Sequence, residues 1–275
     1  RFTIDDIHQA RERLRDVAVR TPLLRLHEVE DVWLKPEVLQ PIGSFKLRGA
    51  YNAIVTRQEA GQLDEVTTLS AGNMSQAVAW SARKLGLRAT AIMPDAAPEF
   101  KKAATRGYGA AIELIPRAEV MAAMQDGRFD DRPGFIHPFN DPLVAAGNGT
   151  IGLEIIEDMP DAETVIVPVG GGGLVLGIAT AIKASRPEVR VYGVQPLGGS
   201  ALAASLAAGE PRTASYETFV DGAGAPFVAA DAFPDLQRLL AGCFTPTDDE
   251  TKAAVARLAL RNKLVTEGAG ALAVA

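Results

Sequence analysis

The sequence is poor in the residues that form disulfides and metal sites. It has one cysteine, Cys243, and three histidines among 275 residues. One cysteine cannot form an internal disulfide, so we expect a reducing compartment and predict a cytoplasmic protein. The histidines are far apart and form no cluster with cysteine at metal-ligand spacing. The sequence therefore predicts no metal site.

Strongly basic segments and long apolar runs are also missing. The net charge is −6 and the pI is about 5.2, so we predict no nucleic-acid partner. The longest apolar runs, such as GGLVLGIATAI, are too short to span a bilayer, and the N-terminal stretch is charged, unlike a signal peptide. We therefore predict no membrane association.

Two common catalytic motifs are lacking, the Gly-x-Ser-x-Gly elbow and the Gly-x4-Gly-Lys-Ser/Thr phosphate loop. An enzyme with this composition is expected to take its reactivity from an organic cofactor.

Short β-branched runs alternate with helical patterns along the chain, which predicts an α/β fold with mostly parallel sheets. The segment from 196 to 235 is rich in Gly, Pro and Ala and is interpreted as mainly loop. The predicted strands cover 31–35, 66–70, 87–93, 110–115, 164–170 and 189–195. The predicted helices include 76–86, 151–159 and 173–184.

A buried strand pattern runs into four glycines, Gly170 to Gly173, in VIVPVGGGGLVLGIATAIK. Glycines permit a sharp turn and expose backbone N–H groups, and at a helix N-terminus such groups bind phosphate. A loop at the carboxyl end of a parallel strand is also where ligands usually bind. We therefore predict an anion site here; the alternative is a flexible turn.

Two other loop-to-helix junctions stand out. In PIGSFKLRGA, Ser44 is a candidate N-cap, which places Lys46 in the first helical turn. A protonated lysine is disfavoured there by the helix dipole, so Lys46 is either a tolerated surface residue or a group whose charge has been removed by chemistry. In LSAGNMSQAVAW, the turn Ser70–Asn73 suits a carboxylate, and Asn73 could cap the helix or bind a ligand; the residues alone favour capping.

The stretch GNGTIG, residues 147–152, matches the Gly-x-Gly-x-x-Gly pattern of dinucleotide sites. That fingerprint requires a strand immediately before it, and DPLVAA is interpreted as helix or loop. A nicotinamide or flavin site is therefore disfavoured. A lysine at a helix start, a glycine-rich cradle and no metal site instead suggest pyridoxal 5'-phosphate, whose aldehyde condenses with lysine and whose phosphate needs amide donors.

The chain resembles a known family, the fold type II pyridoxal-phosphate enzymes related to tryptophan synthase β. Within that family it is most similar to the threonine/serine dehydratases and serine racemases. The resemblance implies two lobes of mostly parallel twisted sheets flanked by helices. Residues 1–52 and 142–275 would form a large cofactor-binding domain, and 53–141 a small mobile domain. The matching blocks are LKPEVLQPIGSFKLRGA, SAGNMSQAVA, IMPDAAP, HPFNDP, GNGTIGLEI, VPVGGGGL and EGAGA.

The resemblance also implies site residues. Lys46 would bind the cofactor covalently and act as the base at the substrate Cα. Phe45 would pack near the cofactor ring, and Asn73 would bind its phenolic oxygen. The cofactor phosphate would be held by Gly170, Gly171, Gly172, Gly173 and Leu174. The substrate carboxylate site would comprise Ser70, Ala71, Gly72, Asn73 and Met74. The residue that faces the pyridine nitrogen in the family follows EGAGALAVA, so this sequence does not assign it.

Several departures from the family pattern bear on the reaction. Ala71 stands where serine racemases have a serine that exchanges the proton on the second face, and Met74 stands where His is usual. The racemase-like cation site would fall on Gln195 and Ala201, which are poor cation ligands. Asn148 replaces the usual Gln in GNGTIG.

These features favour elimination over racemization. The predicted function is conversion of a 3-hydroxy amino acid, such as threonine or serine, to a 2-oxo acid and ammonia. The alternatives are a lyase for 3-hydroxyaspartate or a hydroxyectoine breakdown product, and an amino-acid racemase of the same fold. A homodimer is expected from the resemblance.

Overall fold

The computed structural model describes residues 2–61 and 63–275. The strands are β1 (Leu24–Arg25), β2 (Trp33–Leu34), β3 (Glu65–Leu69), β4 (Arg88–Pro94), β5 (Ala111–Ile115), β6 (Thr164–Pro168), β7 (Arg190–Val194) and β8 (Gly242–Phe244). The helices are α1 (Ile4–Leu14), α2 (Lys46–Glu59), α3 (Asn73–Leu85), α4 (Glu99–Gly107), α5 (Arg117–Gln125), α6 (Pro142–Asp158), α7 (Gly173–Ser185), α8 (Ala201–Ala208), α9 (Phe233–Leu239), α10 (Asp248–Arg257) and α11 (Gly268–Ala271).

Two parallel three-stranded sheets dominate the described chain, in the orders β3-β4-β5 and β6-β7-β8. A short antiparallel pair, β1 and β2, joins the N-terminal segment. Helices pack on both sheets, and each sheet has its own apolar core. The predicted α/β fold with mostly parallel sheets flanked by helices is confirmed.

Most predicted elements are present, with shifted ends. The predicted strand 31–35 shortens to β2, and the predicted helix 151–159 begins nine residues earlier, at Pro142, where Asp141 accepts a hydrogen bond from the Leu143 amide. Asp141 supplies a side-chain cap and Pro142 occupies the first turn, so the start signal was present in the sequence. The interpretation of 196–235 as mainly loop missed α8.

The GNGTIG stretch lies inside α6 and is not a strand-to-helix turn. Its glycines let neighbouring helices approach closely: a Cβ on Gly147 would lie 2.5 Å from the Arg48 carbonyl oxygen, and one on Gly152 would lie 2.7 Å from that of Ile178. The motif therefore serves helix packing, and the dinucleotide interpretation does not apply.

Helix α2 is fixed by a buried charged side chain two residues after its start. Arg48 is 1% exposed; its guanidinium donates to Glu37 at 2.9 Å and to Glu154 at 2.6 Å. Lys35 Nζ also contacts Glu154, at 2.7 Å. This network ties the N-terminal segment, α2 and α6 together.

Ser44 is not the N-cap of α2, which corrects the sequence-based prediction. The helix begins at Lys46, with Phe45 at the N-cap position and no side-chain cap. Phe45 already has right-handed helical backbone angles, φ −60° and ψ −21°, which moves the cap position past Ser44. The Ser44 hydroxyl is buried and has no hydrogen-bond partner among the described residues.

Within the described residues, no helix has the length and apolarity needed to cross a membrane.

The domain boundary predicted between residues 52 and 53 falls within α2, which continues through it without a break. The division into a large and a small domain stays a prediction.

Candidate active site

An open cleft of about 2430 Å³ is lined by residues that follow β3, by residues that follow β6 and by the segment before α2. It brings together the three junctions singled out in the sequence: the start of α2, the turn before α3 and the glycine loop before α7. Every residue predicted for cofactor or substrate binding borders this cleft. They are Phe45, Lys46, Ser70, Ala71, Gly72, Asn73, Met74, Gly170, Gly171, Gly172, Gly173 and Leu174.

Lys46 starts α2 and extends its amine into this cleft. Its Nζ donates a hydrogen bond to the carbonyl oxygen of Pro138 at 2.9 Å and lies 5.2 Å from the centre of the Phe45 ring. Burial lowers the pKa of the Lys46 amine from 10.5 to about 8, and the Glu267 carboxylate opposes this shift. Burial disfavours the charged amine, so a far larger fraction of Lys46 is a neutral nucleophile near neutral pH than of an exposed lysine.

The turn that accepts the Lys46 hydrogen bond is held by His137. The His137 Nδ1 accepts from the backbone N–H groups of Phe139 at 3.3 Å and Asn140 at 2.9 Å. Burial lowers the pKa of His137, which favours the neutral ring that can accept these bonds. The Pro138 carbonyl is thereby presented to the amine.

The glycine loop follows β6 and leads into α7, as predicted. Gly172 is the N-cap residue with a left-handed φ of 95°, and no side chain caps the helix. The first N–H groups of an α-helix have no acceptor within the helix, so this end can bind an anion. Phe139 packs directly against the loop: a Cβ on Gly171 would lie 2.1 Å from its ring, and one on Gly173 would lie 2.6 Å from its carbonyl oxygen.

Asn73 is the first residue of α3, and Gly72 occupies the N-cap position. The interpretation of Asn73 as a helix cap is therefore wrong. Its Nδ2 instead donates to Glu267 Oε1 at 2.9 Å, across the cleft. The neighbouring turn is ordered by Ser70, whose hydroxyl accepts from the Gly72 amide at 3.2 Å. This end of α3 is a second N-terminus without a side-chain cap, facing the cleft.

A second contact crosses the cleft farther out. Lys101 of α4 forms an ion pair with Asp221, which lies in the loop between α8 and α9. The Lys101 side chain is 25% exposed and that of Asp221 is 63% exposed. Burial raises the pKa of Glu267, Asp221 raises it further, and Lys101 opposes this. All three side chains border the same cleft.

The departures from the family pattern have clear placements. Ala71 borders the cleft and packs beside Ala91 and Met93. Met74 borders the cleft, but its side chain is 2% exposed and packs in the core. Gln195 is buried, and its Oε1 accepts from the Leu202 amide at 2.9 Å, so it stabilises the start of α8. In the described ranges, no group of three His, Cys, Asp or Glu side chains is placed to hold a metal ion.

Sequence reasoning left three residues of this site without a role. Pro138 and Phe139 belong to HPFNDP, and Glu267 begins EGAGA; both blocks were recognised as matches only. The two blocks could be seen in the sequence. The residues around them do not reveal that the Pro138 carbonyl contacts a lysine 92 residues away, or that Glu267 contacts an asparagine 194 residues away.

The site's chemistry fits a phosphorylated aldehyde. A lysine with a lowered pKa faces the same cleft as a glycine loop that ends at the N-terminus of α7. Ser44 Oγ and Asn148 Oδ1 also border the cleft and are buried without hydrogen-bond partners among the described residues. Such unpaired polar atoms are typical of a site that binds a polar group.

Comparisons with known proteins agree with this chemistry. The family model described as pyridoxal-phosphate dependent enzyme matches residues 14–275. An L-threonine ammonia-lyase of Thermotoga maritima is 41% identical over 282 residues, covering 100% of this chain and 70% of the relative.

Two solved structures share the fold. A threonine deaminase of T.th. has a TM-score of 0.89 and 34% identity, covering 98% of this chain and 91% of that one. Serine racemase of Dictyostelium discoideum has a TM-score of 0.89 and 31% identity, covering 99% and 90%.

Proposed function

The chain belongs to the family of pyridoxal-phosphate-dependent enzymes, and we propose that it is an ammonia-lyase that converts L-threonine, and L-serine, to a 2-oxo acid and ammonia. The observation that carries this proposal is the buried Lys46 amine, with its lowered pKa, in the same cleft as the glycine loop. Two features of the relatives support it: an L-threonine ammonia-lyase at 41% identity and a threonine deaminase with the same fold.

The residues that would hold the cofactor follow from the cleft. Lys46 would bind its aldehyde, and the amides from Gly170 to Leu174 would bind its phosphate at the start of α7. Phe45 would pack near the ring, and Asn73 would donate to the phenolic oxygen. The cofactor supplies an electron sink for a carbanion at the substrate Cα.

Lys46 would move the proton of the substrate Cα. With the cofactor bound, its amine would accept that proton, because its lowered pKa raises the fraction that is unprotonated. The proton taken from Cα would balance the departure of the β-hydroxyl as water, and the net products would be a 2-oxo acid and ammonia.

The start of α3 would orient the substrate. Its carboxylate would be bound by the free amides of the turn formed by Ser70, Ala71, Gly72, Asn73 and Met74, with the helix dipole favouring the negative charge. Closure of residues 53–141 over the cleft would exclude water from the substrate Cα.

Racemization is the less supported reaction at this site. It needs a second acid or base on the face opposite Lys46, and the methyl side chain of Ala71 can neither donate nor accept a proton. The serine racemase among the structural neighbours therefore supports the fold more than the reaction.

The test is an absorbance spectrum of the purified protein with pyridoxal phosphate, followed by a 2-oxo acid assay with threonine, serine and 3-hydroxyaspartate. We expect the visible band of the lysine-bound cofactor and highest turnover with threonine or serine. Lys46→Ala should lose both the band and turnover, while Lys183→Ala, on the far end of α7, should keep them. A Lys46→Ala variant with unchanged turnover would refute the proposal.

The homodimer and the cytoplasmic location predicted from the sequence remain predictions. Sedimentation equilibrium of the purified protein tests the first, and cell fractionation the second.

A further inference from the structure

Four charged side chains border the cleft: Lys46, Lys101, Asp221 and Glu267. Glu267 contacts Asn73 of the predicted substrate site, and Lys101 pairs with Asp221. Lys46 would bind the cofactor covalently, so Lys101 would be the remaining cation among the four. The Asp221 carboxylate neutralises the charge of Lys101 through their ion pair.

The loop that carries Asp221 is held firmly in place. The Tyr216 hydroxyl donates to the carbonyl oxygen of Val220 at 2.9 Å, and Val220 is 1% exposed. The Thr218 hydroxyl donates to Asp248 at 2.6 Å. The Tyr216 hydroxyl also donates to the carbonyl oxygen of Ala223 at 3.3 Å, so contacts on both sides of Asp221 position its carboxylate near Lys101.

Lys101 is separated from the other charges of its own helix. Lys102 and Arg106 both pair with Glu99, at 3.2 Å and 2.7 Å. Lys101 instead faces across the cleft towards Asp221 and Glu267. Without Asp221, it would be a cation that borders the cleft and has lost its ion-pair partner.

We propose that Asp221 determines substrate specificity: by pairing with Lys101 across the cleft, it excludes substrates whose side chain carries a second carboxylate. A side-chain carboxylate would meet Asp221 and Glu267, and like charges brought together this way cost affinity. A neutral side chain, such as that of threonine or serine, meets no such repulsion. This inference rests on the proposed function and names the substrate class that the site accepts.

The first test compares kcat/KM for 3-hydroxyaspartate with kcat/KM for L-threonine. In Asp221→Asn the ratio should rise about tenfold or more, because repulsion is removed and Lys101 becomes available to the second carboxylate. The matched control is Asp231→Asn. Asp231 contacts Asn140 at 3.3 Å, does not border the cleft, and should leave the ratio unchanged.

The alternative role for the pair is to hold the cleft closed. In that case Asp221→Asn would lower kcat/KM for both substrates by the same factor, and the unchanged ratio would overturn the proposal. The Lys101→Gln variant distinguishes the effect of Lys101 from that of Asp221. It should lower the ratio, and the gain from Asp221→Asn should be smaller in the Lys101→Gln background. An equal gain in both backgrounds would also overturn it.

A binding measurement keeps this test separate from that of the proposed function. Succinate and butanoate are titrated into the cofactor-loaded protein by calorimetry, without any turnover. Succinate should bind Asp221→Asn about tenfold or more tightly than wild type, whereas butanoate should bind both alike. Equal succinate affinities would overturn the inference whatever the enzyme's activity. Absence of amino-acid turnover in wild type would instead count against the proposed function alone.

Discussion

The Lys46 amine lies 2.9 Å from the carbonyl oxygen of Pro138, and the next residue, Phe139, packs its ring on the glycine loop. One short turn thus contacts both the nucleophile and the predicted phosphate cradle. His137 holds this turn, because its Nδ1 accepts hydrogen bonds from the backbone amides of Phe139 and Asn140.

The Lys46 amine should react as a base with a pKa of about 8 in the cofactor-free protein. Because burial favours the neutral form, its acetylation should reach half its maximal rate near that pH, and not near 10.5. Competitive labelling with acetic anhydride across a pH series, read by peptide mass spectrometry, measures this. N-acetyl-lysine amide in the same tube serves as the reference, and a Lys46 midpoint matching the reference would contradict the prediction.

Glu267→Gln should lower the Lys46 midpoint further. The carboxylate raises the pKa of Lys46, so its removal leaves the effect of burial less opposed. The glutamine side chain can still accept the hydrogen bond from Asn73, which isolates the effect of charge. The same labelling experiment measures the shift. Glu210→Gln, at an exposed surface pair with Arg212, is the control and should not move the midpoint.

Gly171→Ala should destabilise the protein by about 1–3 kcal/mol, because the new Cβ would overlap the Phe139 ring. Gly170→Ala is the matched control: its Cβ would lie 3.6 Å or more from its neighbours, an ordinary contact. Urea unfolding measures both. Removing the ring should relieve the overlap. The double variant Gly171→Ala with Phe139→Ala should therefore lose less free energy of unfolding than the sum of the two single variants. Strict additivity would show that the overlap is not the cause.

Arg48→Met should destabilise the protein by about 3–5 kcal/mol, because it leaves the Glu37 carboxylate without its buried cation and Glu154 with Lys35 alone. Arg11→Met provides the comparison. Arg11 pairs with Glu157 at 2.7 Å, but both side chains are about 40% exposed, so the loss should stay below about 1 kcal/mol. The free energy of unfolding in urea measures each change. Similar losses in the two variants would mean that burial does not set the strength of the Arg48 network.

The sequence by itself determined the fold class, the parallel strands and the three loop-to-helix junctions. These features have local causes: β-branched runs form strands, and the glycines at 170–173 permit a turn that few other residues could adopt. Lys46 was identified for the same reason, because a cation at a helix start conflicts with the helix dipole over a few residues.

Only the tertiary structure decided what those junctions contact. The start of α2 moved past Ser44 because Phe45 has helical backbone angles. Asn73 does not cap α3, because Gly72 occupies the N-cap position. Its side chain donates to Glu267, 194 residues away, and Lys101 pairs with Asp221, 120 residues away. Such contacts depend on how the sheets and helices pack against one another. The periodicity or spacing within one segment does not reveal which distant residue a side chain will contact. The charge on Lys46 is likewise set by burial, which exists only once the chain has folded.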